Sequence, residues 1–106
     1  MNLTVVLPDG SARHVTCATK GSVMECMRAA GVPVRAECGG AMACATCHVR
    51  VDDAWIGKAG RAGDEESDLL DNSDYKTDQS RLSCQMKCAP ALDGLTIALQ
   101  LDAFEG

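Results

Sequence analysis

Two runs near the start, N-L-T-V-V-L over 2–7 and A-R-H-V-T-C over 12–17, carry the β-branched and apolar composition of strands. Between them Pro8-Asp9-Gly10-Ser11 is turn chemistry, because Pro presets φ and Gly accepts positive φ. The pair predicts a hairpin. Ser22-Val23-Met24-Glu25 then reads as a capping box, and Val23, Met24, Met27 and Ala30 recur at helical spacing up to Gly31 and Pro33. Further on, His48 to Val51 predicts a short strand, 57–63 a Gly-rich passage and 64–71 a second helix with acids in its first turn. Leu95 to Leu101 alternates cleanly and predicts a last strand. A mixed sheet with one packed helix, an α+β layer fold in one domain over 1–106, satisfies this pattern.

Composition constrains how that fold is held. The only aromatics are Trp55, Tyr75 and Phe104, so the core must be aliphatic, and a small aliphatic core benefits from a covalent or metal staple. The net charge of −5 excludes a nucleic-acid binder and leaves no polybasic membrane patch. No apolar run is long enough to span a bilayer, and the start lacks the basic region of a signal peptide. The expectation is a cytoplasmic protein without membrane insertion. Seven cysteines cannot all pair internally, and a reducing compartment turns them toward metal ligation or redox chemistry. Cys17, ending a strand, and Cys26, inside a helix, are expected to be small buried hydrophobes.

Cys38, Cys44 and Cys47 crowd into ten residues as C-x5-C-x2-C. Structural zinc usually takes two C-x2-C knuckles or one knuckle with histidines, and here only Cys44–Cys47 forms a knuckle, with His48 directly beside it. A zinc-stapled interaction module is therefore a poor match. A 2Fe-2S cluster needs four thiolates and is longer than a single ion, so a loop with three cysteines can wrap it while a fourth arrives from elsewhere. Gly39 and Gly40 let backbone N–H groups approach the negatively charged sulfurs. Cys84 and Cys88 are the candidates for the fourth ligand.

The spacing Cys38-x5-Cys44-x2-Cys47-x36-Cys84, with A-C-A-T-C-H-V, D-E-E-S-D-L-L-D at 64–71 and S-R-L-S-C-Q at 80–85, resembles the adrenodoxin/putidaredoxin family of 2Fe-2S ferredoxins over essentially the whole chain. The resemblance implies a β-grasp fold, one 2Fe-2S cluster, and a monomeric electron carrier that is not itself an enzyme. It places the fourth ligand at Cys84, pairs Cys38 with Cys44 on one iron and Cys47 with Cys84 on the other, and gives His48 and Ser80 supporting positions that tie the cluster loop to neighbouring backbone. It implies electrons received from a flavoprotein NAD(P)H-dependent ferredoxin reductase and delivered to a terminal oxygenase, in first place a cytochrome P-450 type monooxygenase. A Rieske-type ring-hydroxylating dioxygenase and iron–sulfur cluster assembly are the alternative destinations. The chain looks more like the bacterial than the mitochondrial branch.

Residues 64–78 hold seven of the fifteen acids. At 100° per residue, Asp64, Asp68 and Asp71 fall within about 60° of one another. By the resemblance Asp64, Glu65, Glu66, Asp68 and Asp71 form the docking face for basic partners, where steering speeds encounter without prolonging residence. Arg81 is open between anchoring the fourth-ligand loop and touching a partner. Trp55 reads as core packing, and Phe104 as a chain-end residue, with partner anchoring as its alternative role.

Overall fold

The computed structural model describes residues 1–35 and 46–105. Its strands are β1 (Asn2–Val6), β2 (Ala12–Thr16), β3 (His48–Val51), β4 (Ser80–Leu82) and β5 (Leu95–Leu99), and its helices α1 (Val23–Ala29), α2 (Ile56–Ala59) and α3 (Asp64–Leu70). The sheet order is β2-β1-β5-β3-β4. β1 runs parallel to β5, and the other pairs are antiparallel. This is the mixed sheet with a packed helix that the pattern predicts, in the β-grasp arrangement that the resemblance implies.

Register follows from burial. Leu3 and Val5 face Leu95 and Ile97 across the parallel pair, while Val49 and Val51 face Leu99 and Ile97 across the antiparallel one. All of them are buried, so a slip of one residue would turn the apolar face to water. Val23, Met24 and Met27 of α1 are buried with them. Each such side chain contributes about 1.5–3 kcal/mol on burial.

Local signals behave as the sequence suggests. Gly10 sits at φ 90 in the hairpin turn, where Asp9 accepts hydrogen bonds from the Ser11 amide and hydroxyl. Ser22 and Glu25 close both halves of the capping box at 3.1 Å. Gly31, at φ 80, ends α1.

Three expectations need correction, and one strand has no counterpart among them. The Gly-rich passage is partly helical: α2 forms at Ile56–Ala59 and stops at Gly60. S-R-L before Cys84 is a strand, β4, supported by its pairing with β3. The last strand ends at Leu99, and the chain turns into a 3-10 segment, Leu101–Ala103, that leaves Leu101 52% exposed. Finally, Cys17 and Cys26 are joined in a disulfide. The helix packed beside the end of β2 brings their Cα atoms to 5.7 Å, although they stand nine positions apart in sequence. Closing a loop of about ten residues removes roughly 2.5–3 kcal/mol of denatured-chain entropy.

The C-terminal segment is held in place: Phe104 bridges Val34, and the Arg35 and Glu105 amides donate to Ala103 and Pro33 carbonyls, each at 2.8 Å. Trp55 is half-buried against Gly94, with the Lys58 ammonium 5.0 Å from its ring centre, which fits a packing role. No described helix is long and apolar enough to cross a membrane.

Candidate cluster site

Cys38, Gly39, Gly40 and Cys44 lie outside the described residues. The structure does place Cys47 and Cys84. Cys47 leads into β3, and Cys84 sits in a 3-10 turn, Ser83–Gln85, that continues directly from β4. The antiparallel β3–β4 pair aligns the two ends, and Ser83 fastens them. Its amide donates to the Cys47 carbonyl at 3.1 Å and its hydroxyl donates to the same oxygen at 2.8 Å. The two thiols consequently meet. A hydrogen bond from the Cys47 thiol holds the Cys84 thiol down at about 6, against the opposing effect of burial. The Gln85 amide also donates to Cys84 Sγ, at 3.5 Å.

Cys88 differs. It is buried, and that burial pushes its thiol up from the ordinary value. Thiolate is the form that binds metal, so a cysteine presented beside Cys47 with a lowered pKa suits a cluster ligand better than one kept protonated by its surroundings. Two adjacent thiols, with Cys38 and Cys44 shortly before Cys47 in the sequence, suit the soft donor set a 2Fe-2S cluster requires. Among the described residues no group of three or more candidate ligands converges; the candidate ligands Cys38 and Cys44 lie outside them.

His48 follows Cys47 and is fully buried, at 0% exposure. Its Nε2 lies 2.7 Å from Ser80 Oγ, and its Nδ1 lies 3.2 Å from Asp102 Oδ1. A carboxylate only accepts, so Nδ1 carries the proton and Nε2 accepts from the Ser80 hydroxyl. That hydroxyl oxygen also accepts the Thr77 amide at 2.8 Å, and the Ser73 hydroxyl donates to Asp102. Burial lowers the His48 pKa, with Asp102 pulling the other way. The imidazole thus ties β3, β4, the segment after α3 and the C-terminal turn together one residue from Cys47. The resemblance suggested ties from His48 and Ser80 to neighbouring backbone. The cluster loop lies outside the described residues; within them His48 and Ser80 bond each other through their side chains, and Asp102, more than fifty positions away, has no signal in the sequence that would find it.

The acidic helix divides. Asp64, Glu65, Asp68 and Asp71 are exposed, whereas Glu66 is only 6% exposed and is turned into the protein. Its carboxylate accepts from Arg81 Nε at 2.7 Å and from the Leu82 amide at 2.9 Å. That amide points out of the open edge of β4, so Glu66 also caps the sheet. The other arm of Arg81 donates to the Ala59 and Gly60 carbonyls at 2.8 and 3.0 Å. Arg81 is therefore an anchor between α2, α3 and β4. Asp71 pairs with Lys76, which offsets part of its charge.

The fold, the paired thiols and the acidic helix beside them are those of a small electron-carrying iron–sulfur protein. Residues 6–89 match the family described as "2Fe-2S iron-sulfur cluster binding domain". The chain is 40% identical to rhodocoxin of Rhodococcus erythropolis, covering 92% of each. A ferredoxin from Rhodopseudomonas palustris HaA2 superposes with a TM-score of 0.91 at 41% identity, over 97% of this chain and 99% of that one. A chain of the covalent putidaredoxin reductase–putidaredoxin complex superposes with a TM-score of 0.87 at 33% identity, over 93% and 97%. The chain belongs to the adrenodoxin/putidaredoxin-type family of 2Fe-2S ferredoxins. It is an electron carrier with a single 2Fe-2S cluster, and not an enzyme.

Proposed function

We propose that this ferredoxin takes electrons from a flavoprotein NAD(P)H-dependent reductase and passes them to a cytochrome P-450 type monooxygenase, with Cys38, Cys44, Cys47 and Cys84 as the cluster ligands. When bound, the cluster supplies a one-electron couple. The chain's residues present it: Ser83 fixes Cys47 against Cys84 and the His48 network braces the strand behind Cys47, while in this reading Gly39 and Gly40 would let backbone approach it closely. The observation that carries the reading is the acidic helix α3, locked through Glu66 and Arg81 to the strand that runs into Cys84. A partner steered to Asp64, Glu65 and Asp68 is thereby brought to the side of the molecule that carries the ligand strand. That putidaredoxin has been captured covalently with its reductase supports a reductase on the input side.

The acceptor is tested by mixing reductase, NAD(P)H, holo-ferredoxin and a substrate-loaded P-450 anaerobically under carbon monoxide. Rapid appearance of the ferrous–CO band is expected only when the ferredoxin is present. Electron delivery to a Rieske centre or to cluster-assembly proteins, with none to P-450 acceptors, would replace this reading.

Docking has its own test. Asp64→Asn with Asp68→Asn is expected to raise the KM for the reductase several-fold while leaving kcat and the visible cluster spectrum unchanged. Asp71→Asn should have a smaller effect, because Lys76 already balances that charge. Wild-type turnover at low ferredoxin concentration should fall as ionic strength rises. Salt-independent kinetics would remove α3 from the encounter surface.

A further inference from the structure

Electron transfer through the cluster leaves Cys17 and Cys26 without a role, and the structure gives them a distinctive setting. Their disulfide joins the end of β2 to the middle of α1. It borders an open cleft of about 520 Å³ whose walls include the small residues Ala18, Gly21, Ala29 and Ala30. Both cysteines line the cleft, and Cys26 is half-buried where Cys17 is buried, so Cys26 is the more accessible residue of the pair.

The loop that this bond closes holds the segment bearing Cys84. The Gly21 carbonyl accepts the Cys88 amide at 2.9 Å, the Val23 amide donates to the Met86 carbonyl at 2.7 Å, and Ser22 bridges Lys87. Every one of these contacts lies between the two cysteines on one side and within four residues of Cys84 on the other.

We propose that Cys17 and Cys26 are a second redox centre, a site of thiol–disulfide exchange with a dithiol reductant, whose state sets how firmly the Cys84 segment grips the cluster. In the first step a thiolate of the reductant bonds to Cys26 Sγ. The Cys26–Cys17 bond breaks, and Cys17 leaves as a thiolate that takes a proton from water. The second thiolate of the reductant then attacks its own sulfur in the mixed disulfide and forms the reductant's internal disulfide. Cys26 is released and protonated in turn. Two electrons and two protons pass to the protein, and the dithiol is oxidised by the same two electrons. With the bond open, loop 18–25 regains the freedom that closure removed, and its three contacts to 86–88 open more often.

The inference rests on Cys84 as a ligand, which the iron content of Cys84→Ser reads separately. Holo-protein is treated anaerobically with dithiothreitol and sampled by differential alkylation and mass spectrometry. In parallel an iron chelator is added, and cluster loss is followed as decay of visible absorbance. Cys17 and Cys26 are expected to become alkylatable while the absorbance is intact, after which the chelator should strip the cluster roughly five- to tenfold faster. Cys17→Ser/Cys26→Ser should lose its cluster at that fast rate with or without dithiothreitol, which also excludes direct extraction of iron by the reagent. If the pair stays protected until the cluster has gone, the bond is an inaccessible staple and the exchange site is overturned. If the pair opens and chelator kinetics do not change, its coupling to the cluster is overturned. Dithiothreitol dependence that persists in the double variant would likewise refute it.

Discussion

Cys84→Ser is expected to yield protein with less than about a tenth of the wild-type iron and labile sulfide after reconstitution, because a hydroxyl is a poor replacement for a soft thiolate. Cys88→Ser should yield a normal cluster. The contrast is sharp because the two cysteines are close neighbours, lining one cleft of about 490 Å³. Proximity to the cluster region therefore does not separate them; orientation toward Cys47 does. The Cys84 thiol meets the Cys47 thiol, at a point fixed by the two bonds from Ser83 to the Cys47 carbonyl. Cys88 instead has its amide committed to Gly21 and its thiol kept protonated by burial. Iron and sulfide analysis with visible spectra decides the matter. A normal cluster in Cys84→Ser that disappears only in Cys84→Ser/Cys88→Ser would move the fourth ligand to Cys88. A normal cluster in the double variant would place it elsewhere.

Elements whose cause is local were legible in the sequence. The turn at Pro8–Ser11, the capping box at Ser22 and the stop at Gly31 each depend on residues within a few positions, and the structure reproduces them. What escaped depends on distant partners. β4 is a strand of three residues that no propensity would single out, and it exists because β3 supplies a register and Glu66 satisfies its outer edge. Leu101 continues the alternation of β5, but the chain bends after Gln100 to bring Asp102 to His48. The disulfide required knowing that α1 lies beside the end of β2. One missed feature did leave a trace. In the acidic run Glu66 stands four positions before Leu70, so the two share a helix face, and both are buried. A carboxylate on the apolar side of an amphipathic helix calls for a buried cation, and Arg81 is that cation.

Glu66→Ala should accordingly be the most destabilising single change in the acidic helix, whereas neutralising Asp64 or Asp68 should leave stability nearly unaltered. Arg81 and Glu66 are both largely out of water, at 8% and 6% exposure. Removing the carboxylate leaves a buried guanidinium whose charge is no longer balanced and a Leu82 amide without its acceptor. Breaking one half of such a pair costs about 3–5 kcal/mol. For a domain of this size roughly 4 °C follows from each kcal/mol, so the midpoint of cluster loss on heating should fall by about 12 °C or more. Arg81→Met alone should be similarly severe, because it strands the carboxylate and frees the Ala59 and Gly60 carbonyls together. The double variant Glu66→Met/Arg81→Met removes both charges, and it should recover the part of the loss due to an unbalanced buried charge, while the Leu82 amide and the Ala59 and Gly60 carbonyls stay without these partners. A merely additive double variant would mean that the two residues act separately. The same series distinguishes structure from docking. If Glu66 is an anchor, the folded fraction of Glu66→Ala at low temperature should dock to the reductase with a near wild-type KM, in contrast to Asp64→Asn/Asp68→Asn. A raised KM in fully folded Glu66→Ala would return this residue to the encounter surface.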